Sequence, residues 1–314
     1  MKIALDAMGG DFAPKATIEG AVISAKAYSD LNIVLIGQEA TIKPMLKEYG
    51  DLPNLHIVHA DDVIEMAEHP TKALQQKTNS SIAIGYHLLK EQKVHAFCGA
   101  GNTGAMLVGA LFSIKAMEGI LRPPIISHVP MLDGSTGLLL DVGANTDCKP
   151  EVLYQFASLG KVYAQSVLGI ENPRIALMNV GEEETKGNLQ MQATYPLLKN
   201  DASLNFVGNI EGRDLFFGKA DVMVCDGFVG NIILKMAESF YDVAKTQKIN
   251  DKFLNSLNYE AIGGSPILGL NGNVVIGHGI SSALAIHNMI TIAKKMVESG
   301  LNDKIKSSLL AINP

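Results

Sequence analysis

Cysteine is scarce in this sequence and never closely spaced. Cys98, Cys148 and Cys225 stand alone, odd in number and without a C-x-x-C. Neither a disulfide framework nor a zinc knuckle is written here. Charge is scarce too, at 18% of residues, and the formal net charge is −6. That excludes a disordered or nucleic-acid-coating chain and argues against general affinity for DNA or anionic lipid. No uninterrupted apolar run reaches about 18 residues, the length a transmembrane helix needs. The start "MKIALDAMGGD" enters a strand pattern at once, with an acid at position 6, unlike a signal peptide. Low-complexity linkers, repeats and charge blocks are missing as well. A soluble, cytoplasmic α/β protein is expected, and 47% hydrophobic content supplies ample core.

Short β-branched runs alternate with longer helical ones. Residues 2–6, 32–37, 54–60, 94–98, 174–180, 204–210, 221–226 and 273–277 read as buried strands. Helical patterns lie between them at 15–29, 80–92, 102–118, 150–168, 186–199, 228–247 and 281–298. Such alternation predicts a mostly parallel sheet with helices on both faces. Asp133-Gly134 between two apolar runs predicts an antiparallel hairpin excursion at 125–141. Residues 1–314 are expected to form a single α/β catalytic domain, with room for two lobes around one continuous sheet.

Open α/β sheets bind ligands beyond the carboxyl ends of their strands. Seven junctions there combine glycine with polar residues: 6–11, 99–104, 141–150, 179–188, 208–214, 225–231 and 276–282. Turn chemistry accounts for many of these residues singly, but seven at equivalent points are more than punctuation. Gly99, Gly101 and Gly104 fit G-x-G-x-x-G. A dinucleotide site would also need an acid at the end of the next strand, about 20 residues on. Glu118 has that distance but ends a helical run, so NAD is disfavoured. Two readings remain for this loop. It is an anion nest, with Asn102 and Thr103 adding side-chain donors, or a glycine turn with one of them as N-cap.

The ordered blocks "ALDAMGGDFAPKATIEGA", "GAGNTGA", "LDVGANTDCKP", "NVGEEETKGN", "NIEGRD", "CDGFVGN" and "GGSPILGLNGNVVIGHG" span residues 2 to about 295. Together they closely resemble the PlsX-type phosphate acyltransferases of bacterial phospholipid synthesis. The resemblance implies a fold like the isocitrate and isopropylmalate dehydrogenases and the phosphotransacetylases. It implies transfer of a long-chain acyl group from acyl carrier protein to inorganic phosphate, giving acyl phosphate. It also implies a homodimer and a downstream membrane glycerol-3-phosphate acyltransferase as a further partner, with no nucleic acid partner. A CoA-dependent phosphotransacylase or decarboxylating dehydrogenase on the same fold, and a noncatalytic carrier-protein scaffold, are the alternatives.

In this reaction phosphate is itself the nucleophile, so no acyl-enzyme is required, and no G-x-S-x-G elbow is present. The three cysteines are expected to be small apolar fillers. Positioning and preorganised electrostatics carry such a step. Asp226, Asn231, His278 and Lys186 are the expected catalytic residues, with Asp226 as proton acceptor or orienter and His278 as donor to the oxyanion or the leaving thiolate. Phosphate and substrate binding are assigned to Gly9, Gly10, Asp11, Gly99, Gly101, Asn102, Thr103, Gly104, Asn145, Lys149, Glu184 and Arg213. Asp226, Asn231 and His278 are expected to converge from two strand ends. The acids Asp6, Asp11, Asp141, Asp147 and Asp226 permit a divalent cation, but the implied reaction needs none. No metal and no cofactor are expected.

One segment departs from the family pattern. Many members carry a longer, strongly apolar helical extension after the "GFVGN" helix, thought to touch the membrane. Here residues 234–264 are short, with Phe240, Tyr241, Phe253 and Leu257 among Lys235, Lys245, Lys248 and Lys252. A weak interfacial helix pair giving peripheral membrane association, an exposed helical hairpin and a dimer contact all fit. The 235–252 lysines are also the expected patch for acidic carrier protein.

Overall fold

The computed structural model describes residues 1–312. In chain order its strands are β1 (Lys2–Asp6), β2 (Asn32–Gly37), β3 (Leu55–His59), β4 (Ala96–Gly99), β5 (Ile126–Pro130), β6 (Thr136–Leu140), β7 (Arg174–Met178), β8 (Asn205–Ile210), β9 (Val222–Val224), β10 (Ser265–Ile267) and β11 (Asn273–Ile276). Its helices are α1 (Lys15–Ala27), α2 (Glu39–Lys47), α3 (Pro70–Gln76), α4 (Ser81–Lys90), α5 (Thr103–Gly109), α6 (Pro150–Ser166), α7 (Leu189–Lys199), α8 (Gly227–Thr246), α9 (Lys252–Ser256), α10 (Tyr259–Ile262), α11 (Ala283–Glu298) and α12 (Leu301–Ile312). The chain falls into two compact units. The first is Met1–Lys115 with Tyr259–Glu298, and the second is Ala116–Asn258 with the chain from Ser299 on.

Each unit has its own sheet, which corrects the expectation of one continuous sheet. The first unit's strands run β10-β11-β4-β1-β2-β3, all parallel except β10 against β11. The second unit's run β5-β6-β9-β7-β8, all parallel except β5 against β6. Alternation of strands and helices cannot by itself tell one long sheet from two, because both present the same local pattern. The hairpin is where the sequence puts it. Gly134 takes φ +85°, and Asp133 accepts the Ser135 N–H at 2.9 Å, closing the turn between β5 and β6.

Central strands read as continuous apolar runs because both faces are covered. β1, β2, β4, β6, β7, β9 and β11 are buried almost throughout. β3 and β8 were expected to be buried; β3 is not, and β8 is buried only at Asn209 and Ile210, because each lies at a sheet edge. β8 is also irregular. Its register against β7 shifts at Ile175/Ala176, Gly208 takes φ +98°, and Val207 is left exposed. The helix expected over 102–118 ends as α5 and then a π-turn, Ala110–Ile114, which Lys115 closes at φ +65°.

Helix starts follow cap chemistry. The side chains of Ser80, Asn188 and Asp226 accept backbone N–H groups three residues on, from Ala83, Met191 and Val229. The helices cover the sheets by close approach. Within the first unit α1 lies against α11, where a Cβ on Gly20 would fall 2.5 Å from that of Ile286.

Candidate active site

In the first unit β1, β4 and β11 are adjacent and parallel, so their carboxyl ends share one edge. The loops that leave them are locked together by missing side chains. A Cβ on Gly9 would meet Asp6 Oδ2 at 2.3 Å and Gly101 Cα at 2.7 Å. Gly10 takes φ +110°, and the next residue, Asp11, donates its N–H to the Gly279 carbonyl at 2.7 Å. Gly277 donates to Gly99 O at 2.9 Å. Gly99 and Gly104 likewise give way to Met106 Sδ and Pro70 Cγ, at 2.9 and 2.4 Å. The glycines of G-x-G-x-x-G therefore satisfy loop packing first.

Asp6 lies under these loops at the end of β1, with 1% of its surface exposed. It accepts the Met8 N–H at 3.0 Å. Burial pushes its carboxyl above the usual carboxylate range, against the Ser81 hydroxyl and the backbone N–H groups of Met8 and Gly9. Of the two sequence readings for this loop, an anion donor or an N-cap, the structure shows Asn102 in the cap. Its Oδ1 caps α5 through the Ala105 N–H at 3.0 Å. Its Nδ2 faces the carbonyls of Glu65, Met66 and Glu68 at 3.0, 3.2 and 2.9 Å. Two hydrogens cannot serve three carbonyls and an anion as well. Thr103, Asp11 and His278 are exposed beside these loops. The His278 ring lies 5.3 Å from that of Tyr259, and its Nδ1 accepts the Ile280 N–H at 3.4 Å.

In the second unit the edge of β6 and β9 is organised by Asp141, which is wholly buried. Its Oδ1 accepts the N–H groups of Ile125, Gly143 and Ala144 at 3.0, 3.1 and 3.1 Å. Its Oδ2 accepts Asn145 N and Nδ2 at 2.6 and 2.9 Å. Burial raises this carboxyl, and those donors oppose the rise. The first turn of α8 rests on the same strand end. A Cβ on Gly230 would fall 1.9 Å from the Asp141 carbonyl oxygen. Gly227 donates to Asn145 O at 2.7 Å, and Asn231 Nδ2 donates to Val142 O at 3.1 Å. Asp226 caps α8 through Val229 N at 2.8 Å.

Asn145 is a correction. Both hydrogens of its amide are taken, by Asp141 and by the Pro123 carbonyl at 3.0 Å, so it builds the turn and has no donor left for phosphate. Lys149, at the N-cap of α6, is exposed, and so is Lys186. Glu184 pairs with Lys199 at 2.7 Å, and Arg213 pairs through Nε with Glu211 at 2.8 Å. Lys219 ties two loops by meeting Glu182 and Asp214, each at 2.8 Å. Of the three adjacent acids 182–184, Glu182 and Glu184 thus turn to different partners. Among the described residues no three metal-capable side chains converge.

The cysteines are buried. Burial pushes the Cys98 and Cys225 thiols far up and the Cys148 thiol up to about 12. The structure brings Asp226, Asn231 and Asn145 together in the second unit, which also carries Lys149, Lys186, Glu184 and Arg213. It brings Gly9, Gly10, Asp11, Gly99, Gly101 and Asn102 together with the 277–281 loop in the first, which also carries Thr103, Gly104 and His278. Sequence reasoning treated Asp6 and Asp141 only as metal candidates and passed over Lys219. The available signal was an acid closing an apolar strand just before a glycine-rich loop.

Solved structures place this architecture among the phosphotransacetylase-like α/β folds. A phosphotransacetylase from Streptococcus pyogenes superposes with TM-score 0.67 at 17% identity, covering 95% of this chain and 94% of its own. A branched-chain phosphotransacylase from Enterococcus faecalis gives 0.62 at 17% identity, covering 95% and 99%. At that identity the likeness speaks for the fold alone. Sequence is more specific. Residues 1–304 match the family described as fatty acid synthesis protein. Relatives named phosphate acyltransferase from Dictyoglomus turgidum and Syntrophomonas wolfei are 46% and 45% identical, covering 98% and 94% of this chain and the same shares of their own. The chain belongs to this family, the PlsX-type phosphate acyltransferases of fatty acid and phospholipid synthesis.

Proposed function

We propose that this chain transfers a long-chain acyl group from acyl carrier protein to inorganic phosphate. A phosphate oxygen attacks the thioester carbonyl carbon, forming a C–O bond and a tetrahedral oxyanion. Collapse breaks the C–S bond, the carrier thiolate takes up a proton, and acyl phosphate leaves for phospholipid synthesis. The observation that carries this reading is the near-full-length identity to relatives named phosphate acyltransferase. The site chemistry supports it. The buried, protonated cysteines offer no acyl-enzyme route, while Lys149 and Lys186 stand exposed at strand–helix junctions where an anion would be drawn. The 99–104 loop runs into the start of α5, where helix N–H groups favour an anion. His278, exposed just beyond β11, suits donation to the oxyanion or the departing sulfur.

The same reading includes a homodimer, with peripheral contact to the membrane where the next acyltransferase works. Phe228, Ile232, Met236, Phe240 and Val243 are exposed at helical spacing along α8, an apolar stripe suited to such a contact. No helix among the described residues is long and apolar enough to cross a membrane. Incubation with palmitoyl-acyl-carrier-protein, with and without phosphate, and mass spectrometry of the products test the activity. Phosphate-dependent free carrier and palmitoyl phosphate are expected. Acetyl phosphate from acetyl-CoA with no turnover of carrier substrate would favour a CoA-dependent phosphotransacylase. Carrier binding without turnover would favour a scaffold.

A further inference from the structure

Asp141 carries more of its unit's edge than capping alone requires. Its carboxylate accepts from three successive residues, Gly143, Ala144 and Asn145, the last through both backbone and side chain, and from Ile125 sixteen positions earlier in the chain. No cation shares it among the described residues; its donors are N–H groups of one turn and the incoming strand. An aspartate used this way acts as a template, because a carboxylate has about four lone-pair sites and can orient several donors at once. What it orients is the 142–145 turn, four residues ahead of Lys149. That segment's carbonyls in turn fix the start of α8, through Gly227 N to Asn145 O and Asn231 Nδ2 to Val142 O. Gly230 lets α8 lie directly on the Asp141 backbone, so carboxylate, turn and helix start are one packed assembly.

We infer that Asp141 is a positioning residue for phosphate: it presets the turn that leads to Lys149 and the helix start that carries Asn231. The inference rests on the acyl-transfer reading above for what the two side chains hold. It assigns Asp141 no contact with the reacting atoms. Asparagine at 141 has the same shape but replaces one acceptor oxygen with a donor NH2. Whichever way it turns, that NH2 faces at least two N–H groups. The turn then shifts while the remainder of the unit's core, built on buried β6, β7 and β9, is untouched.

The test is Asp141→Asn in the full chain, with folding checked by circular dichroism, phosphate binding measured by titration calorimetry, and turnover followed on palmitoyl-acyl-carrier-protein. Phosphate affinity should fall and its KM rise by roughly tenfold to a hundredfold, with a fall in kcat and little change in KM for the acyl carrier, because displacement of a positioned group by about an ångström is felt on that scale. Asn145→Ala, which removes one of the carboxylate's donors and the tie to Pro123, should shift phosphate binding in the same direction by less. It serves if the asparagine variant does not fold. Wild-type phosphate affinity in a folded Asp141→Asn, or in Asn145→Ala where that is the variant that folds, overturns the inference. Wild-type protein that binds phosphate but never releases carrier would overturn the acyl-transfer reading instead, and a loss of that binding in the variants would still support Asp141.

Discussion

At the end of β1 stands Asp6 and at the end of β6 stands Asp141, each buried, each with burial raising its carboxyl. Beside each, glycines let neighbouring backbones touch, Gly9 and Gly101 at Asp6 and Gly227 and Gly230 at Asp141. Beyond that the two edges differ. The loops at 7–12, 99–104 and 277–282 in the first unit contain no lysine or arginine. Phe12, Met66 and Ile280 are exposed among them, and a Cβ on Gly279 would fall 2.8 Å from Met66 Cε. The corresponding loops of the second unit carry Lys149, Lys186, Arg213 and Lys219. One way of bracing a sheet edge thus presents an apolar rim with a histidine in one unit and cations in the other.

The largest effects should separate the two edges. His278→Ala is expected to lower kcat roughly a hundredfold to a thousandfold, as loss of one oxyanion donor does, with phosphate KM near wild type. Lys149→Ala should do the reverse, raising phosphate KM about tenfold with kcat at saturating phosphate largely kept. Steady-state kinetics in both substrates reads this directly. Matching changes in kcat and phosphate KM for the two variants would erase the division between the units.

Bracing can be broken at the glycines. Alanine normally gains about 1 kcal/mol over glycine inside a helix. At position 230 its Cβ would fall 1.9 Å from the Asp141 carbonyl oxygen. Gly230→Ala is therefore expected to destabilise by about 1–3 kcal/mol or more through overpacking, read as a lower urea midpoint. Gly9→Ala meets Asp6 Oδ2 at 2.3 Å and should behave alike. Gly212, with nothing within 4 Å of its Cβ position, is the control and should stay within about 0.5 kcal/mol.

Much of this was legible in the sequence, for reasons that can be named. Buried parallel strands announce themselves as unbroken apolar runs, as "KIALD" does for β1, and Asp133-Gly134 fixes a hairpin because few dipeptides take that turn. The loops that gather the site residues could also be read, since glycine and polar residues cluster after strands. Other features were not local. Edge positions such as β3 and β8 depend on which strands neighbour them. Asn102 looks like a ligand donor until the 65–68 carbonyls are seen around its amide. Asn145 is the same case with Asp141 and Pro123. Lys219 reaches Glu182 across 37 positions of sequence, which spacing rules cannot foresee.

A smaller effect concerns pH and isolates Asp6. Its folded pKa lies above the model-compound value of 3.8, through burial. From 3.8 up to the folded value, the native state keeps a proton that the unfolded chain has lost. Stability from this group therefore falls as pH rises through that interval and stays lower above it. Asp6→Asn removes the titration while its Oδ1 can still accept the Met8 N–H. Relative to wild type the variant should gain stability at neutral pH and lose that advantage in acid. Asp141 contributes a slope of the same sign to both proteins, so the difference between their urea midpoints across pH reports Asp6 alone. A constant difference from acid to neutral pH would count against a raised pKa there.

The smallest expected effect is at Cys148, and it tests whether either edge hides a nucleophile. Each unit places a buried cysteine near its aspartate: Cys98 on β4 in the first, Cys225 and Cys148 in the second. Cys148 is the least buried of them, and its Sγ only touches the Asn145 carbonyl at 3.5 Å. Burial, then the nearby charges of Asp141 and Asp226, push its thiol up to about 12. At neutral pH the thiolate fraction is then on the order of one in a hundred thousand, and the thiolate is the attacking form. Cys148→Ala should keep kcat within about twofold, since only a weak sulfur contact is lost. Wild-type enzyme quenched during turnover should show no mass increase of one acyl group, and native protein should resist iodoacetamide at this position. A trapped acyl thioester that disappears in Cys148→Ala, together with lost activity, would replace direct attack by phosphate with a two-step route. Phosphate would then accept the acyl group from the enzyme rather than from the carrier.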